Sequence, residues 1–370
     1  MRRIAMRKSL ATGLVMALAV FFAACTPKET PATTVSGEKV YRVAFMLNTN
    51  LGDKSWADSC GRGMETVART YSNVETKFVE AGDDRMSWEP ALIDLSEQNW
   101  DLIFTSTGDM QEILERVAAQ YPNQKYVFFD AVVDAPNVYS IEFKQNEASF
   151  LAGALGAMIT GSGINGTNPA KIIGAVGGMD IPIINDFMVG YISGAQYIDP
   201  EVKVVISYAG SFSDPTRGKE LALIQINMGS DVVYQVAGGT GLGVLQGAAE
   251  NGILSIGVDS DQAATLADGD PRTASRIMTS VLKNADVMVV QCVEKFLSNS
   301  LTFGKADRLG VAEGAMGIVK NANFDSLVPR EIRDRILSLE SEVRNGSISI
   351  LSALSIDRNE VTRIINSARP

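Results

Sequence analysis

Short apolar runs alternate with helical apolar stripes along the chain from residue 40 onward. The runs are rich in Val, Ile and Phe, which is typical of strands that are buried on both faces of a sheet. Between them, apolar side chains such as Cys60, Met64 and Val67 recur at helical spacing. The chain is therefore expected to alternate strands with helices.

This pattern predicts an α/β fold with parallel sheets flanked by helices. We predict strands at 40–47, 74–79, 101–105, 125–129, 171–176, 202–208, 231–237, 253–258 and 276–282. We predict helices from 57 onward and at 87–98, 109–121, 146–160, 185–197, 215–228, 285–297 and 330–344.

The elements fall into two βα series of similar size, separated by a glycine-rich stretch at 161–167. Two such series followed by a return segment predict two lobes joined by several crossings. We expect residues 40–145 and 259–300 to form the first lobe, and residues 146–258 and 301–370 the second. Because ligands of open α/β sheets bind beyond the carboxyl ends of the strands, functional residues are expected directly after strands.

The first 25 residues have the features of an export signal. Four basic side chains precede a run at 10–24 that is apolar or small apart from Thr12. The run is too short for a comfortable membrane span and has the length of a signal-peptide core. It ends in FAAC (22–25), which is similar to a bacterial lipobox, although leucine is usual where Phe22 stands.

We therefore predict a lipoprotein signal peptide at 1–24, an acylated Cys25 and a flexible tether at 25–39. Acyl chains would hold the protein at a membrane surface without a spanning helix. The alternative is an ordinary signal peptide that is cut near Ala24, with Cys25 incidental.

The composition limits the chemistry that is available to the chain. It contains no histidine, which excludes Ser-His-Asp and Cys-His catalysis and every histidine-ligated metal site. The net charge is −10, and it would be −14 without residues 1–24, which carry four basic and no acidic side chains. So acidic a chain is not expected to bind nucleic acid, and we expect no cofactor and no metal. Cys60 and Cys292 are expected to be separate buried thiols, with a disulfide as the alternative.

Two aromatic residues follow predicted strands and could stack on a flat ligand. Trp56 lies after the first strand, close to Asp53 and Ser55, and Phe212 lies after the strand at 202–208. A ring beside a carboxylate can bind the face of a ligand and hydrogen-bond its edge. Packing roles for both rings and a helix-cap role for Asp53 are the alternatives. The spacing alone does not choose between them.

Three further strand ends carry polar residues that could bind hydroxyl groups. Asp130 and Asp259 directly follow strands, and Lys283 follows the segment at 276–282. An ionised carboxylate has several acceptor sites, and a lysine can donate to the same hydroxyls. A turn or cap for Asp259 and a surface position for Lys283 are the alternatives.

A run of glycines at 238–243 follows a strand and opens a helix. Its spacing departs from G-x-G-x-x-G, yet Asp259 lies 20 positions beyond Gly239, as a ribose-binding acid does in dinucleotide folds. One alternative is therefore an NAD-dependent enzyme, against which the missing histidine argues. The other is that these glycines let the backbone approach a sugar closely. EF-hand calcium binding is excluded because residues 259–262 lack the required glycine and distal Glu.

Together these segments resemble the basic-membrane-protein family of bacterial lipoproteins, which includes purine nucleoside receptors of ABC transporters. The resemblance covers about residues 40–325 and rests on the lipobox and, in order, on GDKSW (52–56), GSFSDP (210–215), AGGTG (237–241), GVDSDQ (257–262) and TSVLKN (279–284). It implies the type I periplasmic-binding-protein fold, with two lobes that close on a ligand. The chain departs from the family in Trp56, where phenylalanine is frequent, and in its acidity, which puts a matrix-binding role in doubt.

The resemblance implies a receptor that captures nucleosides, with purines expected, and delivers them to an import permease. Trp56 and Phe212 would sandwich the base, and Asp53 would contact its edge. The other implied ligand-binding residues are Ser55, Asp130, Phe187, Gly239, Asp259 and Lys283. The implied partners are the ABC permease and ATPase subunits and, through Cys25, a bacterial membrane. The receptor would be an exported monomer with no catalytic residue.

Two alternatives keep the same fold. One is a sugar receptor, and the other is a surface lipoprotein that has lost transport. A nucleotide ligand is disfavoured because four carboxylates would repel phosphate in a closed cleft, namely Asp53, Asp130, Asp259 and Asp261.

Overall fold

The structure, a computed structural model, describes residues 39–164 and 166–370. The expected signal peptide at 1–24, Cys25 and nearly all of the tether at 25–39 lie outside the described residues. In the described part, none of the helices has the length and apolar character needed to cross a membrane.

The strands build two six-stranded sheets. In chain order they are β1 (Tyr41–Leu47), β2 (Val74–Glu80), β3 (Leu102–Ser106), β4 (Tyr126–Phe129), β5 (Val138–Phe143), β6 (Ile172–Gly177), β7 (Lys203–Tyr208), β8 (Ser230–Val236), β9 (Leu254–Asp259), β10 (Ile277–Lys283), β11 (Lys305–Leu309) and β12 (Met316–Ile318). The first sheet has the order β11-β5-β4-β3-β1-β2, and the second β12-β10-β9-β8-β6-β7. Neighbouring strands among the described residues are parallel, except that β10 and β12 are antiparallel.

Helices pack on both sheets. They are α1 (Trp56–Thr70), α2 (Arg85–Glu97), α3 (Gln111–Gln120), α4 (Gln145–Thr160), α5 (Pro182–Ile198), α6 (Pro215–Asn227), α7 (Gly238–Glu250), α8 (Gln262–Leu266), α9 (Pro271–Ala274), α10 (Ala285–Leu297), α11 (Ala322–Leu327), α12 (Arg330–Arg344) and α13 (Arg358–Ser367). Every strand and helix predicted from the sequence is present, with its ends displaced by at most a few residues. The predicted α/β class with two parallel sheets is confirmed, and we call each sheet with its helices a lobe.

Two strands lie in the sheet opposite to the expected one. β10, within the 259–300 segment expected in the first lobe, pairs with β9 and β12 in the second sheet. β11, within the 301–370 segment expected in the second lobe, pairs with β5 in the first sheet. The expected placement of these two strands is therefore wrong. The reason is that a crossing between sheets has no local hydrophobic pattern that would reveal it.

The crossings between the sheets lie side by side and are linked by hydrogen bonds. Lys144, after β5, donates its backbone N–H to the Leu309 carbonyl over 2.8 Å. Glu147 in α4 accepts the N–H of Val311 over 2.8 Å. A Cβ on Gly310 would lie 2.1 Å from the Glu147 Oε2, so a larger residue there would displace the Glu147 side chain. This geometry makes the crossings a compact hinge.

Close helix packing holds α4 against α5. A Cβ on Gly153 would lie 1.9 Å from the carbonyl oxygen of Tyr191, and one on Gly194 would lie 1.9 Å from that of Phe150. The close approach at Gly153 is reciprocated by Gly194 on the facing helix. These contacts fix the position of α5, which contributes to the site described next.

The two cysteines of the described region are separate thiols, as predicted. Cys60 lies in α1 and Cys292 in α10; both are buried, and neither forms a disulfide. Burial raises the pKa of both, that of Cys292 to about 12. Neither thiol is therefore expected to be reactive at neutral pH.

Candidate functional site

Predicted site residues from both sheets meet at the carboxyl ends of the strands. Lys283, the last residue of β10 in the second sheet, forms an ion pair with Asp130, which follows β4 in the first sheet. Ser55, just before α1, donates its hydroxyl to Asp259, the last residue of β9, over 2.5 Å. The carboxyl ends of the two sheets therefore face each other, as expected for a ligand cleft.

Trp56 begins α1 and is fixed by contacts within the first lobe. Its indole N–H donates to the Ser106 hydroxyl at the end of β3 over 3.3 Å. Its ring packs edge-on against Phe129 and Phe143, with centroid distances of 6.3 and 5.9 Å. The side chain is half-buried. A ring held in this way keeps its orientation while part of its surface stays accessible.

Lys283 and Asp130 form a buried pair beside Trp56. Their side chains are only 4% and 7% exposed. The ammonium lies 4.4 Å from the centroid of the Trp56 ring. Asp130 has φ +80°, a backbone conformation that L-residues rarely adopt and that costs on the order of 1–3 kcal/mol. Lys283 is thus not the surface lysine that the sequence left as an alternative.

Asp259 is the second strained aspartate of the site, with φ +63°. Burial raises the pKa of its carboxyl to about 6, although Lys283 and the hydrogen bond from Ser55 lower it in part. The nearby charges of Asp53 and Asp130 raise it further. Strained backbone and a perturbed carboxyl at a strand end are frequent at functional sites.

Asp53 caps the start of α1. Its carboxylate accepts backbone N–H groups from Ser55, Ala57 and Asp58 over 2.9–3.2 Å. Burial raises its pKa, and these hydrogen bonds lower it in part. Its Oδ2 lies 3.9 Å from the position of a Cβ on Gly238, at the start of α7. The helix-cap alternative thus accounts for Asp53, and a contact with a ligand stays a prediction.

Phe212 lies on the loop between β7 and α6 and is 41% exposed. Its ring packs on the backbone of Gly178, where a Cβ would come within 2.3 Å of it. Its carbonyl accepts the N–H of Thr240 over 2.9 Å and lies 3.2 Å from the position of a Cβ on Gly239. Phe212 is therefore an exposed ring on a glycine platform, joined to the start of α7.

Phe187 lies in α5 and is 2% exposed. Its ring centroid is 5.8 Å from the Lys283 ammonium. The structure thus places it beside Lys283, in a buried position rather than on an open surface.

The glycines of 238–243 are used for packing inside the second lobe. A Cβ on Gly241 would lie 1.7 Å from the Gln235 Oε1, and one on Gly243 would lie 1.7 Å from the carbonyl oxygen of Pro215. These glycines therefore let α7 approach β8 and α6 closely.

Asn48, which follows β1 directly, was not among the residues predicted from the sequence. Its side chain is 8% exposed, and its Nδ2 donates to the Thr107 hydroxyl over 2.9 Å. Its Oδ1 is buried and has no hydrogen-bond partner. An unpaired buried acceptor is costly unless something else satisfies it. The strand-end rule that found Asp130 and Asp259 would also have found Asn48.

Within the described ranges, no group of three or more His, Cys, Asp or Glu side chains is arranged to hold a metal ion. The site's polar atoms are carboxylates, one ammonium, hydroxyls and an amide. Such a set can bind hydroxyl and N–H groups of a neutral organic ligand.

Comparison with known proteins identifies relatives along almost the whole chain. A nucleoside-binding protein of an ABC transporter from Lactococcus lactis subsp. cremoris is 26% identical over 362 residues, 92% of this chain and 97% of the relative. Basic membrane protein A from Borreliella burgdorferi is 27% identical over 350 residues, 92% of this chain and 94% of the relative.

A solved structure and a family model also match this chain, and both represent ABC transporter substrate-binding proteins. The crystal structure of an ABC transporter solute-binding protein from Aeropyrum pernix superposes with a TM-score of 0.77 at 25% identity, covering 89% of this chain and 97% of that one. Residues 40–350 match the family described as PnrA-like ABC transporter substrate-binding proteins. The chain belongs to this family of ABC transporter substrate-binding proteins.

Proposed function

We propose that this protein is a lipid-anchored receptor that binds nucleosides, with purines preferred, and delivers them to an ABC import permease. The observation that carries the proposal is the placement of the Asp259 carboxylate and the Lys283–Asp130 pair next to the Trp56 ring. A nucleoside has the matching parts, because a flat base is joined to a sugar with adjacent hydroxyls.

The base would bind between Trp56 and Phe212. Aromatic faces stack on a planar base at little entropic cost because such rings have few rotatable bonds. The unpaired Asn48 Oδ1 would accept a hydrogen bond from an N–H group on the base edge. Asn48 would thus make the contact with the base edge that was expected of Asp53. The Asp53 carboxylate already accepts backbone N–H groups at the start of α1.

The ribose would bind at Asp259, with Ser55 and the Lys283–Asp130 pair beside it. An ionised carboxylate can accept hydrogen bonds from two neighbouring hydroxyls, and charge-assisted bonds of this kind are the strong ones. Gly239 would let the sugar approach the start of α7.

The local charge favours a neutral ligand. Among the site groups described, there is one basic side chain, that of Lys283, and there are three acidic ones, those of Asp53, Asp130 and Asp259. A phosphate group would meet a buried site with net negative charge and a low effective dielectric constant, where water and salt screen the repulsion poorly. Nucleosides are therefore expected to bind far more tightly than nucleotides.

Binding without turnover fits the family and the packing. The relative from Lactococcus lactis is named as a nucleoside-binding protein of an ABC transporter. Gly241 and Gly243 serve helix packing, which weakens the case for a dinucleotide-binding enzyme. We infer a non-enzymatic, monomeric receptor, with the permease and ATPase subunits as its partners.

The ligand class is tested by titrating purine nucleosides, ribose and other pentoses while recording tryptophan fluorescence. Trp88 and Trp100 are buried in a separate apolar cluster, so the response should come from Trp56. We expect saturation with a nucleoside and no response to a pentose. Trp56→Phe should lose most of the optical signal but still bind in calorimetry. Response to a pentose alone would establish the sugar receptor, and no binding of either class would favour the surface lipoprotein without transport.

The anchor is tested by metabolic labelling with a fatty-acid analogue. We expect label on the wild-type protein and release of an unlabelled Cys25→Ala variant from the membrane. An unlabelled wild-type protein would favour the ordinary signal peptide.

A further inference from the structure

Three aromatic rings surround the ammonium of Lys283. The Nζ lies 4.4 Å from the ring centroid of Trp56, 5.0 Å from that of Phe143 and 5.8 Å from that of Phe187. Asp130 completes the surroundings through the ion pair. We call Trp56, Phe143 and Phe187 the ring cage.

The ring cage is assembled from both lobes. Trp56 begins α1 and Phe143 ends β5 in the first lobe, whereas Phe187 lies in α5 of the second. Lys283 itself ends β10, immediately before the chain crosses between sheets. The ammonium therefore lies where the two lobes and the hinge meet.

A buried ammonium needs substitutes for the water that it has lost. It carries three N–H donors, and within the described residues its ion-pair partner is Asp130 alone. Aromatic faces attract a cation through their negative quadrupole, and the effect grows when the cation is desolvated. Phe143 and Phe187 are 1% and 2% exposed, so their rings meet the ammonium with little water between them.

We propose that Phe143 and Phe187 are positioning residues, which hold the Lys283 ammonium in place through their π faces. They touch the ammonium, and Lys283 in turn acts on the ligand. Without them the ammonium would turn or hydrate, and the charge pair with Asp130 would lose its fixed orientation beside Trp56. The effect on affinity rests on the proposed function, whereas the position of the ammonium does not.

The first test uses a change that keeps ring shape and reduces the charge on the ring face. Phe187 is replaced by 4-fluoro- and then by 3,4,5-trifluorophenylalanine through site-specific incorporation. We expect guanosine affinity to fall stepwise, by about fivefold in total, with an unchanged unfolding temperature. Phe187→Tyr should restore most of the affinity that Phe187→Leu loses. Phe104→Leu, in the first-lobe core, is the control for simple loss of packing and should leave affinity unchanged.

The second test needs no ligand. In protein labelled with ¹³C-lysine, the Lys283 ε-methylene signal, assigned by Lys283→Arg, should be shifted upfield by ring currents and move toward its ordinary position in Phe143→Leu and Phe187→Leu. An ordinary position in the wild type would overturn the proposal, and so would an affinity that is indifferent to fluorination. If the wild type binds no nucleoside, the proposed function fails, and the lysine signal alone decides whether the rings hold the ammonium.

Discussion

Trp56 and Phe212, the two rings proposed to bind the base, are held in contrasting ways. Trp56 is half-buried, hydrogen-bonded to Ser106 and packed edge-on against two phenylalanines. Phe212 lies on a loop, is 41% exposed and rests on the backbone of Gly178. The first-lobe wall is therefore preformed by core packing, while the second-lobe wall is an exposed ring on a small platform. A substitution of Trp56 should therefore lower both ligand affinity and the free energy of unfolding. A substitution of Phe212 should lower ligand affinity alone.

The largest effect is expected at Asp259, which belongs to neither wall and is proposed to bind the sugar. Asp259→Ala removes the acceptor for two sugar hydroxyls and should weaken ribonucleoside binding by at least about 100-fold, because each charge-assisted hydrogen bond contributes about 1.5–3 kcal/mol. Calorimetric titration measures the loss. Asp268→Ala, an exposed aspartate in the same region, is the matched control and should bind normally. Unchanged affinity of the Asp259 variant would reject its assigned role.

Trp56→Ala should damage both binding and folding. Removing a half-buried tryptophan should lower the free energy of unfolding by about 2–3 kcal/mol, less than for a fully buried one. Nucleoside affinity should fall as well. Chemical denaturation and calorimetry on the same sample check both effects. A variant of full stability would contradict the view that this wall is part of the core.

Acidification should weaken binding through Asp259. Burial raises the pKa of this carboxyl to about 6, so affinity should be constant above pH 7 and fall by about tenfold per pH unit below 6. The same carboxyl should have the opposite effect on folding, because acidification that weakens ligand binding should raise the free energy of unfolding. Its folded pKa lies above the unfolded value, so its destabilising contribution is present above pH 6 and disappears as the pH falls toward 4.

Calorimetric titrations between pH 5 and pH 8 measure this dependence. Asp259→Asn is the control and should lose the step near pH 6. A step that persists in that variant would assign the titration to another group, such as Asp53, whose pKa is also raised by burial.

Phe212→Ala should affect binding alone. Loss of one stacking face should weaken nucleoside binding by about tenfold. Because the ring is exposed, the free energy of unfolding should change by no more than about 0.5 kcal/mol. The same paired measurements apply as for Trp56, and a large loss of stability would remove the contrast between the walls.

Gly178→Ala should have the smallest effect. The new methyl group would approach the Phe212 ring within 2.3 Å, so the ring must move on its loop. We expect nucleoside affinity to fall by about threefold, because the loop can give way more easily than a core. In the Phe212→Ala background the same substitution should have no further effect, which a double-mutant cycle tests.

Much of the fold could be predicted from the sequence because buried strands carry continuous apolar runs. Three strands escaped prediction. β5 is largely buried, but the polar Ser140 and Glu142 interrupt its apolar run. β11 consists of exposed, mainly polar residues at a sheet edge, and β12 is only three residues long. The prediction of the sheet to which β10 and β11 belong was wrong for a related reason. Which strands pair after the chain crosses between the sheets depends on contacts between residues far apart in the sequence.

Residues of the candidate site could be predicted where a charged side chain ends a strand or directly follows one. Asp130, Asp259 and Lys283, which the structure brings together, were predicted in this way, whereas Trp56 begins the helix that follows β1. The left-handed backbone of the two aspartates and the cage around Lys283 depend on tertiary contacts and have no sequence signature. Asp53 shows the limit of the rule, because a strand-end carboxylate also serves as a helix cap.

The most direct test of the account compares guanosine with 2′,3′-dideoxyguanosine by calorimetric titration of the wild-type protein. The two ligands share the base and differ only in the hydroxyls assigned to Asp259. The expected result is 1:1 binding of guanosine and at least about 100-fold weaker binding of the dideoxy analogue. Equal affinity for the two ligands, or binding of ribose without binding of guanosine, would contradict it.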